Sequence, residues 1–189
     1  MAPIEYFAYL HQFDCAIEVN DFFIKQTIRN RCTIYGANGK LHLTVPKHRK
    51  SSSKTLIKDI KISYDHKWQK EHWQSLVSSY RSTPFFEYFE DEMNTIFHKK
   101  YTNLIDLNIE MLTFICSKIG ISTDFKFTET YSKVAVQNDL RNYSFNSNDF
   151  PRYIQVFENK YGFIPNLSIL DLLFNEGNNS KHYLESLKL

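Results

Sequence analysis

Hydrophobic residues recur along the chain in two different rhythms, and the rhythms change near residue 64. In "IEYFAYLHQF", residues 4–13, Ile4, Phe7, Ala8 and Leu10 fall at near-helical spacing, and "CAIEVND" then sets Ala16, Ile17 and Val19 as a short strand would. The clearest period of two lies in "RCTIYGANGKLHLTVP", where Cys32 and Ile34 precede Asn38-Gly39, and Leu41, Leu43 and Val45 follow in alternation. This predicts a β-hairpin whose second strand is ended by Pro46. "KHRKSSSK", residues 47–54, lacks apolar periodicity and reads as a mobile loop. "LIKDIKISY" predicts a third strand, although Ile60 and Ile62 break the phase set by Ile57.

The spacing then becomes helical. "KWQKEHWQSLVSSYR" sets Trp68, His72 and Leu76 on one stripe and Trp73, Val77 and Tyr80 on the next. "TPFFEYFEDEMNTIFHKK" predicts a second helix with Thr83 as N-cap and Pro84 at the first helical position, acidic early and basic late. "TNLIDLNIEMLTFICSKIG" predicts a third, with Leu104, Met111, Leu112 and Ile115 on one face and a stop at Gly120. Further on, "DFKFTE" predicts a strand, residues 132–149 are polar and irregular, and "RYIQVFENKYGFIP" predicts a strand pair turning near Asn159 to Gly162. "LSILDLLFNEG" closes as a short helix, for which Ser168 and Asp171 have the spacing of a capping pair. The expected architecture is one α/β domain over residues 1–189, with α+β as the alternative. It comprises a small mixed sheet with an N-terminal hairpin, packed by a layer of three helices.

Composition adds rings and a charge asymmetry. With 16 Phe and 12 Tyr in 189 residues, core and ligand-facing surfaces are expected to be ring-lined. Residues 1–83 carry 13 Lys and Arg against 7 Asp and Glu, leaving 10 against 14 for the remainder, so the first half is the better home for an anion. Cys15, Cys32 and Cys116 are widely spaced and odd in number, which suits a reducing compartment rather than a zinc site or disulfide framework. No basic and apolar leader opens the chain, and no apolar run reaches membrane-spanning length, so the cytoplasm is the default location.

The candidate chemistry centres on Lys25, Gln26, Arg29, Asn30 and Arg31. A guanidinium fork pairs two oxygens of a phosphate or carboxylate, and the amides orient neutral hydroxyls; the alternative is a pair of exposed arginines flanking a strand. His72, between Trp68 and Leu76, is either a general base or a buried, satisfied imidazole. Its distance of six residues from His66 does not suit a helical zinc pair. Asn108 shares the apolar face of the third helix, so it either ties helices together or faces a polar cavity, whereas Asp106 falls on the solvent side. Ser168 with Asp171 lacks a nucleophile elbow, and capping accounts for both. No phosphate-loop or dinucleotide motif is present, and no metal or cofactor is implied. Nucleic acid is not expected as a partner, because the basic stretch from Lys47 to Lys54 lacks interleaved aromatics.

Several blocks in order, "PIEYFAYL", "KQTIRNRCTIYGANGKLHLTVP", "WQKEHWQSLVSSYRSTPFFEYFED", "KKYTNLIDLN" and "FIPNLSILDLLFNEG", resemble the WbqC-like proteins, a bacterial family named after a gene of O-antigen clusters. The resemblance spans most of the chain except residues 128–150. It implies acyl or aminoacyl transfer to the amine of a nucleotide-linked sugar in surface polysaccharide synthesis. Such a role asks for a cationic clamp (Arg29, Asn30, Arg31), a base (His72) and aromatic walls (Trp68, Tyr80) around an anionic sugar nucleotide or acyl donor. The rival is a non-catalytic sugar- or nucleotide-binding module or assembly factor using the same cleft. Longer members carry additional segments before residue 1 and between the counterparts of 128 and 150, so this chain is also read as a binder without turnover or one working with a partner protein.

Overall fold

The computed structural model describes residues 1–48, 54–133 and 139–189. Most of the loop expected at 47–54, and part of the irregular stretch expected at 132–149, lie outside the described residues. The class is α/β, with helices and small sheets combined. The strands divide into two separate two-stranded sheets instead of one mixed sheet.

Helix α1 (Ile4–Gln12) buries Ile4, Phe7 and Ala8 at i, i+3 and i+4. Its first turn is capped from the far end of the chain: the Ile4 N–H donates to the Leu167 carbonyl at 3.0 Å and the Glu5 N–H to Asn166 Oδ1 at 3.0 Å. Strand β1 (Ala16–Ile17) pairs in parallel with β4 (Lys126–Phe127). The hairpin β2 (Arg31–Gly36) and β3 (Gly39–Thr44) is antiparallel, with Arg31 opposite Thr44 and Thr33 opposite His42. Its tight turn falls at Ala37–Asn38, and Gly39 takes the positive φ, 96°, that glycine tolerates without strain.

Helices α2 (Trp68–Tyr80), α3 (Phe86–His98) and α4 (Leu104–Ile119) form the expected helical layer, with α2 packed on β2 and α3 and with α3 packed on α4. The start of α3 differs from the sequence reading. Thr83 is spent at the end of α2, where its hydroxyl donates to the Tyr80 carbonyl at 2.6 Å, and the Phe85 N–H donates to Phe174 O, so the helix begins two residues beyond Pro84. Helix α4 ends at Gly120, which is left-handed at φ 78°.

Three expected strands, one over residues 57–62 and a pair over 152–165, are absent. Residues 57–59 form one 3₁₀ turn, for which the three-residue interval between Ile57 and Ile60 is suited. Beyond it, Lys61 and Ile62 make only isolated bridges to Asn103 and Lys47. The strand pair expected over 152–165 is replaced by an extended run and a one-turn helix, α5 (Glu158–Tyr161). There the side-chain amide of Gln155 takes the place of a strand partner: its Nε2 donates to the Ile164 carbonyl at 2.9 Å and its Oε1 accepts the Ile164 N–H at 2.8 Å.

Helices α6 (Ile169–Glu176) and α7 (Ser180–Ser186) close the core against α1, and α6 also touches β2. Ser168 caps α6 as expected, accepting from the Leu170 N–H. Asp171 does not share that task. It is fully buried and accepts hydrogen bonds from the hydroxyls of Tyr80 (2.8 Å) and Tyr153 (2.5 Å) and from Gln155 Nε2 (2.9 Å). The Tyr80 hydroxyl in turn accepts the Tyr35 N–H at 2.9 Å, so one carboxylate links α2, β2, α6 and the 153–155 segment.

Candidate functional site

The loop leading into the hairpin is held by one buried asparagine. Asn30 Oδ1 accepts the Gln26 N–H at 3.1 Å while its Nδ2 donates to the Val45 carbonyl at 3.0 Å. Gln26 is thereby kept at φ 61°. From the helical layer, Asn108 Nδ2 donates to the Arg29 carbonyl at 2.9 Å. The amide on the apolar face of α4 is therefore a tether for this loop, and Asn108 also borders a large cavity.

That cavity is a cleft of about 1120 Å³. One wall is aromatic: Tyr6, Tyr9 and Phe13 from α1 and its C-terminus meet Tyr143 and Phe145, with Tyr9 stacked on Phe13 at 5.7 Å and Tyr143 edge-on to Phe145 at 4.9 Å. The Tyr143 hydroxyl donates to the buried Glu5 carboxylate at 2.7 Å, and that hydrogen bond holds the phenol in its protonated form. An apolar side comes from α4, including Ile105, Ile109 and Leu112.

Among the described residues, the side-chain carboxylates and guanidinium groups of the cleft are paired, with one exception. Arg29 donates to Asp21 at 3.1 Å and to the Arg141 carbonyl at 3.0 Å. Arg141 pairs with Asp139 at 2.6 Å, lies 3.9 Å from Glu18, and stacks over Tyr131 at 4.8 Å. Its guanidinium holds the Asp139 carboxyl down at about 2. Asp14 pairs with Lys126. Arg31 alone among the cleft arginines has no carboxylate partner among the described residues. Its Nε donates to Thr44 Oγ1 at 3.0 Å, and its two terminal amino groups have no acceptor there.

Behind Arg31 lies a second, much smaller recess of about 30 Å³, bordered by Asn30, Arg31, Trp68, His72 and Asn108. Thus Arg31 and Asn108 border both spaces, while His72 borders only the recess. Burial, reinforced by the α-amino group of Met1, pushes the His72 imidazole down to about 4. Trp68 is buried, its indole N–H donating to the Ser63 carbonyl at 3.1 Å.

The remaining candidates separate. Gln26 and Arg29 border the cleft, Lys25 is exposed and borders neither space, and Tyr80 is fully buried with its hydroxyl committed to Asp171. The aromatic wall expected of Trp68 and Tyr80 is supplied instead by α1 and residues 143–145. Thr33, His42 and Arg141 also border the cleft and escaped the sequence reading. For Thr33 and His42 a signal was present: they occupy the polar phase of the hairpin alternation, in register with Arg31 and Thr44. The three cysteines are free thiols, and burial raises each of them, Cys116 to about 12, which disfavours thiolate nucleophiles.

No helix among the described residues is long and apolar enough to cross a membrane. No solved structure matches the chain. A relative in Mycobacterium tuberculosis, the uncharacterized protein Rv1507c, is 29% identical over 91% of this chain and 90% of its own length. A model of the WbqC-like protein family matches residues 2–145 and 137–183. With nearly its whole length so matched, the chain belongs to the WbqC-like protein family.

Proposed function

We propose that this chain binds an anionic, ring-bearing small molecule of the nucleotide-linked amino sugar class in the cleft between α1, the hairpin and α4. The observation that carries the reading is Arg31: a half-buried guanidinium at a concave surface, uncompensated among the described residues where every neighbouring carboxylate and arginine is paired. A guanidinium fork suits a phosphate, and its uncompensated charge favours an anion. The wall of Tyr9, Phe13, Tyr143 and Phe145 suits the face of a base or sugar, and about 1120 Å³ accommodates a molecule of that size.

In this reading the ligand feeds acyl or aminoacyl transfer in bacterial surface polysaccharide synthesis. The sugar amine gives up a proton to a base and attacks the acyl carbonyl, and the donor's leaving group departs. Arg29 and Asn108 act by fixing the loop that presents Arg31. A non-catalytic binding module using the same cleft is the second reading, favoured by the position of His72: an imidazole in a 30 Å³ recess with a basicity lowered to about 4 is poorly suited to deprotonate an ammonium.

Titration of the protein with UDP-glucosamine, UDP, uridine and glucosamine tests the binding. Saturable binding of the two diphosphates and weak binding of the two neutral or cationic fragments is the expected order. Uridine binding as well as UDP would contradict the clamp. Mass spectrometry after adding an acyl thioester to the UDP-glucosamine complex then separates a transferase, which yields the N-acylated sugar, from a binding module.

A further inference from the structure

We infer that His42, oriented by Thr33, is the second half of the anion clamp and holds the same diphosphate as Arg31. This rests on the cleft reading above and names the group that works beside the guanidinium. Across the hairpin Arg31 is opposite Thr44, and Thr33 is opposite His42, so Arg31 and His42 are diagonal neighbours on one face. Such diagonal positions lie roughly 7–8 Å apart at the backbone, within reach of long side chains. All of Arg31, Thr33 and His42 border the cleft, while the intervening Cys32 and Leu43 face the smaller recess.

The ring of His42 is already placed. Its Nδ1 lies 2.9 Å from Thr33 Oγ1, which leaves Nε2 as the ring nitrogen with no protein partner among the described residues. When the Thr33 hydroxyl donates to Nδ1, the proton resides on Nε2, and that N–H is the donor a phosphate oxygen requires. Two adjacent phosphates spaced along the hairpin face then meet two donors of different kinds, the Arg31 fork and the His42 Nε2–H. Thr33 acts as a positioning residue, because its hydroxyl holds the ring at Nδ1 and can donate to it, which is compatible with the tautomer that carries the proton on Nε2. Of the other charged groups around the cleft, Asp14, Glu18, Arg29, Asp139 and Arg141 are each engaged with another protein group, and the N-terminal residue Met1 also borders it.

The experiment compares binding of inorganic pyrophosphate and UDP to wild-type protein and to Arg31→Ala, His42→Ala, Thr33→Val and Thr33→Ser variants. Nuclear magnetic resonance of ¹⁵N-histidine-labelled wild type is recorded alongside. The expected result is a loss of about tenfold for His42→Ala, the scale of one charge-assisted hydrogen bond, a few-fold for Thr33→Val, and near wild-type affinity for Thr33→Ser. UDP should shift the ring nitrogen signals of His42 and leave those of His72 in place. If Arg31→Ala weakens UDP binding while His42→Ala and Thr33→Val do not and the His42 signals stay fixed, the inference is overturned and the cleft reading stands. If wild type binds neither pyrophosphate nor UDP, or Arg31→Ala binds them unchanged, both fall.

Discussion

The Asp171 node and the Arg31 cleft each gather charged and polar groups beside the hairpin, and they differ in how completely those groups are satisfied. At Asp171 a fully buried carboxylate receives three donors, and the hydroxyls that reach it are themselves tied to backbone or side-chain partners. Burial raises its pKa while the three hydrogen bonds oppose that rise, and no cation is needed. At the cleft, Arg31 is only half-buried, yet two of its nitrogens have no acceptor among the described residues. A closed polar network in a core rigidifies it, whereas an open charge on a concave surface keeps hydrogen-bonding capacity that the described residues do not use. Tyr80 belongs to the first kind of region, and Arg31 to the second, although the family resemblance implies one ligand for both.

The contrast breaks most visibly at its buried member. Asp171→Ala leaves Tyr80, Tyr153 and Gln155 without their shared acceptor and is expected to destabilise the fold by about 4 kcal/mol in urea denaturation, since each stranded buried donor costs 1–3 kcal/mol. A loss of less than about 1 kcal/mol would mean that the node is not closed. The recess gives the next largest effect. His72 takes up a proton more readily in the unfolded chain, near the ordinary 6.5, than in the folded chain, near 4. Protons therefore favour unfolding below pH 6.5, and the contribution, whole above that pH, is lost as pH falls toward 4. Denaturation at pH 7 and pH 4 should show His72→Gln sparing about 2–3 kcal/mol of the acid loss seen in wild type.

Tyr80→Phe removes one donor to Asp171 and the acceptor of the Tyr35 N–H, for an expected cost of about 1–2 kcal/mol by thermal unfolding. Arg31→Ala sits at the other extreme. Its only described side-chain bond is to Thr44, so stability should change by no more than about 0.5 kcal/mol. A larger loss would make Arg31 a structural residue and remove the contrast.

Local signals carried the hairpin, the three central helices, the Gly120 stop and the Ser168 cap, because each depends on periodicity or on residues within one turn of each other. What escaped depends on distant pairings. Gln155 replaces a backbone strand by reaching Ile164, and the 3₁₀ turn at Ile57–Asp59 settles between Asp21 and Leu104, whose backbone groups bond to Ile57 and Ile60. Asp171 looked like a capping residue because nothing nearby in sequence announces Tyr80, 91 residues away. The candidate site was legible in part. The cluster at 25–31 does lead into the cleft, but the conspicuous His72, set in an apolar stripe, borders only the recess. His42, sitting inconspicuously in the polar phase of a strand, borders the cleft itself. A residue that interrupts a pattern is conspicuous in a sequence, and one that obeys it is not.

The most direct test of the central claim is calorimetric titration of UDP into wild-type protein and Arg31→Ala side by side at one salt concentration. Saturable binding by wild type that weakens by about 10- to 100-fold in Arg31→Ala, at unchanged folding stability, is the predicted outcome for loss of a charge-assisted fork. Equal affinity in the two proteins would contradict it.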